Sequence, residues 1–194
     1  MSPATDTTRS VSEQRILNAA RRRFETFGYR RTSIAEIARD AGIAVGTVYR
    51  YFKSKEEIFL QVVRDLNDTW ITRAREAMSQ PGTPIERLAR LGPISMEYNQ
   101  ENKLLNALLN RDPEIVYAPL MDQIADDLLR QNVSLMAEVI QEGVESGNMR
   151  PMDPERAAFV IFVAGQTLFG QQSYPYQDVL PLYLDIILNG MLPR

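Results

Sequence analysis

Four times along this chain a hydroxyl residue stands three places ahead of a glutamate at the head of an apolar, periodic run: Ser10 with Glu13, Ser33 with Glu36, Ser54 with Glu57 and Thr83 with Glu86. In that arrangement the hydroxyl accepts from an orphan amide of the first turn while the carboxylate reaches back to the cap amide, so each pair marks a helix start. Proline at a first helical position adds Thr83-Pro84, Asp112-Pro113 and Asp153-Pro154. Between the starts, apolar residues recur at helical spacing, and no segment sustains the period-two alternation of a strand. The chain therefore reads as all-α. Breaks are expected at Gly28, Gly42, Pro81-Gly82, Gly92-Pro93, Pro113, the 147–154 segment and the 170–175 segment, which leaves about nine helices, the longest from Ala118 to Ser146.

Composition removes much chemistry. With no histidine and no cysteine, imidazole bases, thiolate nucleophiles, disulfides and zinc sites built from either residue are excluded. No metal or other cofactor is expected. The longest uninterrupted apolar run, Ala157 to Gly165, is half of what a bilayer crossing needs. Residues 1–10, MSPATDTTRS, lack the apolar core of a secretory signal and read as a mobile tail of a cytoplasmic protein.

Net charge is −3, which for a uniform chain would argue against nucleic acid, but the charge is divided. Residues 1–60 carry eleven Lys or Arg against seven Asp or Glu, whereas residues 61–194 carry eleven against eighteen. A basic head precedes an acidic body, and local charge sets phosphate attraction within a Debye length.

Three helices occupy the head. Leu17, Ala20, Phe24 and Phe27 form one stripe of the first, ended by Gly28, with Arg21, Arg22 and Arg23 expected on the opposite side. Ile34, Ile37, Ala38 and Ala41 form the stripe of the second. Gly42 then supplies the left-handed residue of a sharp turn and Ile43 packs into its angle. The third helix, Val45 to Tyr51, points Val48 and Phe52 inward and leaves Ala44, Val45, Thr47, Tyr49, Arg50 and Tyr51 largely outward. Hydroxyls, a cation and small residues on one short helix behind a tight turn suit entry into a DNA groove. Packing against the first helix is the alternative for Tyr49 and Tyr51.

The run TSIAEIARDAGIAVGTVYRYFKSKEEIF, residues 32–59, resembles the DNA-binding segment of the tetracycline-repressor (TetR) family of transcriptional regulators in its G-I turn, its G-T-V-Y, its Y-F and its K-S-K-E-E. The resemblance is strong over residues 13–60. It implies a homodimer whose helix-turn-helix heads bind a palindromic double-stranded DNA operator and whose body holds a small-molecule effector. It further implies that Thr47 and Tyr49 contact DNA, that Lys55 contacts phosphate, that Thr32 and Ser33 combine phosphate contact with helix capping, and that Val45, Gly46, Arg50 and Tyr51 vary with operator sequence. Ala44 departs from the family in lacking a capping hydroxyl.

The expected organisation is a tail (1–10), a helix-turn-helix DNA-binding domain (11–60) and a helical ligand-binding and dimerisation bundle (61–194). Trp70, Met96, Tyr98, Leu105, Met121, Met136 and Phe162 supply aromatic or adaptable walls for an effector pocket. Ala157–Gly170 is apolar on all sides and Val179–Leu192 nearly so, which calls for a second buried face; Ala157, Ile161, Ala164, Gly165, Leu168, Tyr183 and Ile187 are the expected dimer contacts. Two carboxylate pairs at helical spacing, Glu97 with Glu101 and Asp122 with Asp126, keep open a carboxylate-dependent enzyme, and an all-α sensor acting without DNA is a third reading. The helix-turn-helix pattern and the missing His and Cys favour a DNA-binding regulator, most simply a repressor released by a small, mostly apolar effector, rather than an enzyme.

Overall fold

A computed structural model describes residues 10–109, 112, 115, 118–169 and 175–193. Among them the chain forms eleven helical segments and no strand: α1 (Val11–Phe27), α2 (Ile34–Ala41), α3 (Val45–Tyr51), α4 (Lys55–Ser79), α5 (Pro84–Ala89), α6 (Leu91–Glu101), α7 (Lys103–Leu109), α8 (Ala118–Asp122), α9 (Ala125–Glu145), α10 (Pro154–Phe169) and α11 (Tyr176–Asn189). The all-α reading holds. Except for Ser10, the expected tail lies outside the described residues, as do Pro113 and all of the 170–175 break but Pro175.

The start signals act as expected. Ser33 and Thr83 each form a complete capping box with Glu36 and Glu86. Ser10 and Ser54 accept from the Glu13 and Glu57 amides, and the Glu57 carboxylate takes the Lys53 N–H at 2.6 Å instead of the cap amide. Pro84 and Pro154 occupy first helical positions. Two expected helices nevertheless divide. The break placed at Gly92-Pro93 falls at Arg90, because a proline in the first turn of α6 lacks only an N–H that would have no intrahelical partner there, and α7 separates after Asn102. Ala118 to Ser146 is also broken, at residues 123–124, which leaves the 25-residue α4 as the longest helix.

The second division has a cause in packing. Leu120 and Ile124 turn into a first hydrophobic cluster with Ile16, Phe24, Ile37, Val48, Phe59 and their neighbours. Leu135, Met136, Val139 and Ile140 of α9 belong to a second cluster with Ala74, Met78, Leu88, Met149 and Ala158. One straight helix from 118 to 146 would not serve both. Among the described residues only α4 contributes buried residues to each, Ile58 to Leu66 in the first and Ala74 and Met78 in the second. In the first cluster the Phe59 ring lies edge-on to Phe24 at 5.1 Å and to Tyr29 at 5.2 Å. In the body, α6 approaches α11 at Gly92, where an added Cβ would lie 3.0–3.1 Å from Leu184 and Leu180 methyls.

Between the clusters the middle of α4 is polar. Trp70 Nε1 donates to Asn132 Oδ1 at 2.7 Å, and Asn132 Nδ2 donates to Asn67 Oδ1 and to the Leu128 carbonyl, each at 2.8 Å. Tyr98 donates its hydroxyl to the Leu66 carbonyl at 2.7 Å, and burial pushes its phenol above the ordinary value.

Phe59→Ala removes the ring that joins α4 to α1. We expect it to cost about 3–5 kcal/mol of unfolding free energy, read as a lowered urea midpoint at unchanged slope.

Candidate nucleic-acid interface

Gly28 at φ 76° ends α1 and Gly42 at φ 66° ends α2, each in the left-handed region that glycine enters without strain. The Gly42 N–H donates back to Arg39 and the Ile43 N–H to Ala38, closing the turn, and Arg15 of α1 donates to the Gly42 carbonyl at 3.3 Å. Ile43 packs on the first cluster, as expected. From this turn α3 leaves with Ala44 at its N-cap and no side-chain cap. Val48 and Phe52, both buried, hold it down.

The opposite side of α3 is bare. Val45 is 40% exposed, Tyr49 is 54% exposed and Arg50 is exposed. A Cβ added at Gly46 would meet nothing within 4 Å, so a partner can approach the backbone there. Thr47 is half-buried at the flank. Tyr51 differs from the outward placement expected of it: it packs on the first cluster, and hydrogen bonds from Ser10, then Ser12, hold its phenol below the ordinary value. Tyr49 lies outward and Tyr51 ties α3 to the start of α1.

Four further head residues, Arg23, Phe27, Thr32 and Lys55, are placed otherwise than expected. Arg23, expected outward, is buried; its Nε donates to Asp40 Oδ2 at 2.6 Å and its Nη1 lies 3.0 Å from Glu36 Oε1, while its guanidinium covers Phe27 at 5.2 Å. Arg23 adjoins Phe24 and follows Ala20 by three, so it borders the apolar stripe, and the i, i+4 pair Glu36 and Asp40 on α2 is the signal that could have placed it. Phe27, expected in the stripe, is instead exposed at its end. Thr32 is buried and donates its hydroxyl to the Gly28 carbonyl at 2.9 Å, so that group is engaged inside the turn. Ser33 donates its hydroxyl to Glu36 Oε2 at 2.8 Å. Lys55 donates to the Tyr29 and Thr32 carbonyls, each at 2.8 Å. Arg22, Arg30, Arg31, Arg39 and Lys53 add exposed positive charge to the head.

In the body most of the expected pocket residues divide between the two clusters, with Trp70 and Tyr98 in ring contact. Leu105 and Met121 pack on the first cluster, Trp70, Met136 and Phe162 on the second, Tyr98 lies 5.9 Å from Trp70, and Met96 is half-buried on α6. Two surface grooves beside α1, of about 490 and 680 Å³, share Asn18 and Arg21 and include none of these seven residues. The expected interface residues gather mainly in the seam between α10 and α11. Ala157, Ile161 and Ile187 pack on the second cluster, Tyr183 donates to the Ile161 carbonyl and faces Gly165, and Ala164 and Leu168 are half-buried. Phe159, Val160 and Val163 of α10, with Leu182 and Ile186 of α11, are exposed instead.

Of the two carboxylate pairs, Glu97 and Glu101 lie together on α6 and Asp122 and Asp126 do not share a helix. Glu101 is paired with Arg73 at 2.8 Å. Asp122 ends α8 and Asp126 lies in α9, so the helix face they were expected to share does not exist. Among the described residues no group of three or more carboxylates could hold a metal ion, and no helix is long and apolar enough to cross a membrane.

Comparison with known proteins agrees with this geometry. The family model described as bacterial regulatory proteins, tetR family, matches residues 16–62. Over 147 residues the chain is 31% identical to the HTH-type transcriptional regulator YhgD of Bacillus subtilis, covering 75% of this chain and 76% of that protein. It is 30% identical over 161 residues to the HTH-type transcriptional regulator RutR of Escherichia coli strain K12, covering 81% and 73%. The fold is similar to that of the transcriptional regulator FadR from Bacillus subtilis, with a TM-score of 0.75 at 23% identity over 92% of this chain and 98% of the other.

The α1–α2 charge cluster sets an acid sensitivity. Arg23 holds the Asp40 carboxyl below its ordinary 3.8, and Ser33, with Arg23, holds Glu36 below its ordinary 4.5. A carboxyl lowered on folding stabilises the fold above its unfolded pKa and loses that contribution as pH falls through the folded one. Urea midpoints of the native chain should therefore fall between pH 5 and pH 3 more steeply than those of an E36Q/D40N double variant; equal slopes would dismiss the cluster as the cause.

Proposed function

Because the chain belongs to the tetR family of bacterial regulatory proteins, we propose that it is a transcriptional repressor that binds a palindromic double-stranded DNA operator as a homodimer and is released by a small effector. The observation that carries this reading is the bare outer side of α3, where Val45, Gly46, Tyr49 and Arg50 stand open behind a turn closed at Gly42. Tyr49 and Thr47 offer hydroxyls, Arg50 offers five donors, and Val45 offers an apolar contact for a thymine methyl. Gly46 lets the helix backbone come close. Ser33 and Tyr51 position α3 from either side, and Thr32 acts from inside the turn.

Residues 11–60 form the DNA-reading unit and residues 61–194 the effector and dimerisation unit in this proposal. Exposed apolar residues at 159, 160 and 163 on α10 and at 182 and 186 on α11 support a second copy of the chain as the cover for this face. Two heads related by that axis read half-sites centred about 34–36 Å apart in successive major grooves. The effector, a mostly apolar molecule, seats at the polar break in α4 between the two clusters, around Trp70, Met96 and Tyr98. Adaptable side chains and the Trp70–Asn132–Asn67 hydrogen bonds there support this placement. Its occupancy favours a direction of α4 that puts the heads at the wrong spacing, and it weakens operator binding by its differential affinity for that state.

Incubation of the pure protein, without added effector, with fragmented genomic DNA from its source at near-physiological salt should recover a short palindrome. Tyr49→Ala and Arg50→Ala should each weaken binding to it by about 1–3 kcal/mol. Failure to enrich any sequence over a Y49A/R50A double variant would reject the DNA-binding reading. Leu182→Glu with Ile186→Glu should halve the sedimenting mass and abolish operator binding while the helical circular dichroism is retained; an unchanged mass would move the dimer face elsewhere.

A further inference from the structure

Lys55 is the first residue of α4, beside the positive end of the helix, where carboxylates are favoured and a cation is opposed. Something else must hold it there. Its ammonium donates to the Tyr29 and Thr32 carbonyls, each at 2.8 Å, and lies 4.2 Å from the centre of the Tyr29 ring. An ammonium has three donors, and these three directions occupy them. The side chain is half-buried, and that burial lowers its pKa.

The segment it grips is a hub. Between the end of α1 and the start of α2 the chain turns at 29–32, with the Thr32 N–H on the Tyr29 carbonyl at 3.3 Å and the Thr32 hydroxyl on the Gly28 carbonyl. The Tyr29 N–H donates to the Ile115 carbonyl of the body at 3.0 Å. Ser33, the next residue, caps α2, whose far end is the Gly42 turn that orients α3. We propose that Lys55 is a positioning residue, tying the 29–32 turn and the cap of α2 to the first turn of α4, in place of the phosphate contact that the family resemblance implies for it. When α4 shifts, the turn follows, and α2 and α3 are carried together. Lys53, exposed two residues earlier, is the lysine of this segment left facing outward. The inference rests on the DNA-binding reading only for its functional consequence; the tie itself is a property of the free chain.

The chain has three lysines, Lys53, Lys55 and Lys103, which makes amine labelling decisive. On the unaltered protein, acetylation by N-hydroxysuccinimide acetate, followed by mass spectrometry, should modify Lys55 about tenfold more slowly than exposed Lys53 and Lys103, reflecting two hydrogen bonds that must open first. Adding the recovered genomic fragment should protect Lys53 and leave Lys55 unchanged. A phosphate-gripping Lys55 would instead label as fast as Lys53 in the free protein and become protected on DNA, which overturns the proposal.

The K55M variant supplies the second reading. Its affinity for the same fragment should fall about tenfold or more while the slope of log K against log salt stays that of the native chain. A slope reduced by about 0.9 per protomer, about 1.8 for the dimer, marks a lost phosphate contact and overturns the proposal. Unchanged affinity with a lowered melting temperature would show a lysine that only stabilises the fold, and overturns it too. Should K55M fail to fold, the labelling of the native chain decides alone. Should no DNA be recovered, the regulator reading fails, and the rate at Lys55 in the free protein still tests the tie.

Discussion

The Phe59 ring, set edge-on against Phe24 and Tyr29 with no solvent exposure, is the contact on which the rest of the architecture depends. It lies five residues into α4, so burying it fixes the start of a 25-residue helix against the three helices of the head. A helix of that length is stiff on the scale of one domain, and its far half is locked by Ala74 and Met78 into a separate cluster. Head and body are thereby joined by one rod whose two ends are buried in different cores. The first cluster is completed by Leu104, Leu120 and Ile124 from the body, so the head's core is not closed by head residues alone. A rearrangement of the body therefore has a direct packing route to the head.

Around that shared core the polar contacts divide by task. Charge pairs of Arg23 with Asp40 and Glu36 clamp α1 to α2 at the margin of the core, and the Glu36 carboxylate also serves the cap of α2. From the head, Arg21 of α1 reaches Asn102 at the break between α6 and α7, Asn102 donates to the Tyr98 carbonyl, and the Tyr98 hydroxyl returns to α4. Tyr98 and Asn102 are buried and hydrogen-bonded, and the buried Arg23 is paired with two carboxylates, so no buried polar group in these contacts is left unpaired. Among the described residues, Val45, Tyr49 and Arg50 on the outer side of α3 stay exposed. The helix has no side-chain cap and only seven residues, too few to stand alone, and it keeps its shape because Val48 and Phe52 are buried beneath it.

Much of this was legible before any coordinates. Cap pairs, glycine stops and apolar stripes gave the head helices nearly to the residue, because each signal acts within four residues of the group it satisfies. The bareness of Tyr49 and Arg50 followed from the inward direction of Val48 by helical geometry alone. Readings failed where two faces of one helix were both plausible interiors. Arg23 borders the α1 stripe and only the arrival of Glu36 and Asp40 turns it inward. On α10, Ile161 packs on the second cluster and Gly165 faces Tyr183 of α11, so the residues expected at a partner also serve an interior contact. The pair Asp122 and Asp126 lost its common face because Ile124 is needed in one cluster and Met136 in the other.

What the sequence determined by itself was therefore local: helix class, helix ends in the head, the sharp turn at Gly42, and the set of groups that α3 presents. Those depend on backbone amides, left-handed glycines and periodicity, all interactions of short range along the chain. Tertiary structure alone decided which apolar faces meet, that two clusters rather than one fill the molecule, and that Lys55 turns back onto the Tyr29 and Thr32 carbonyls. Each of those outcomes joins residues more than twenty positions apart. Burial and hydrogen bonding at that separation depend on the path of every intervening element, and no local pattern records that path.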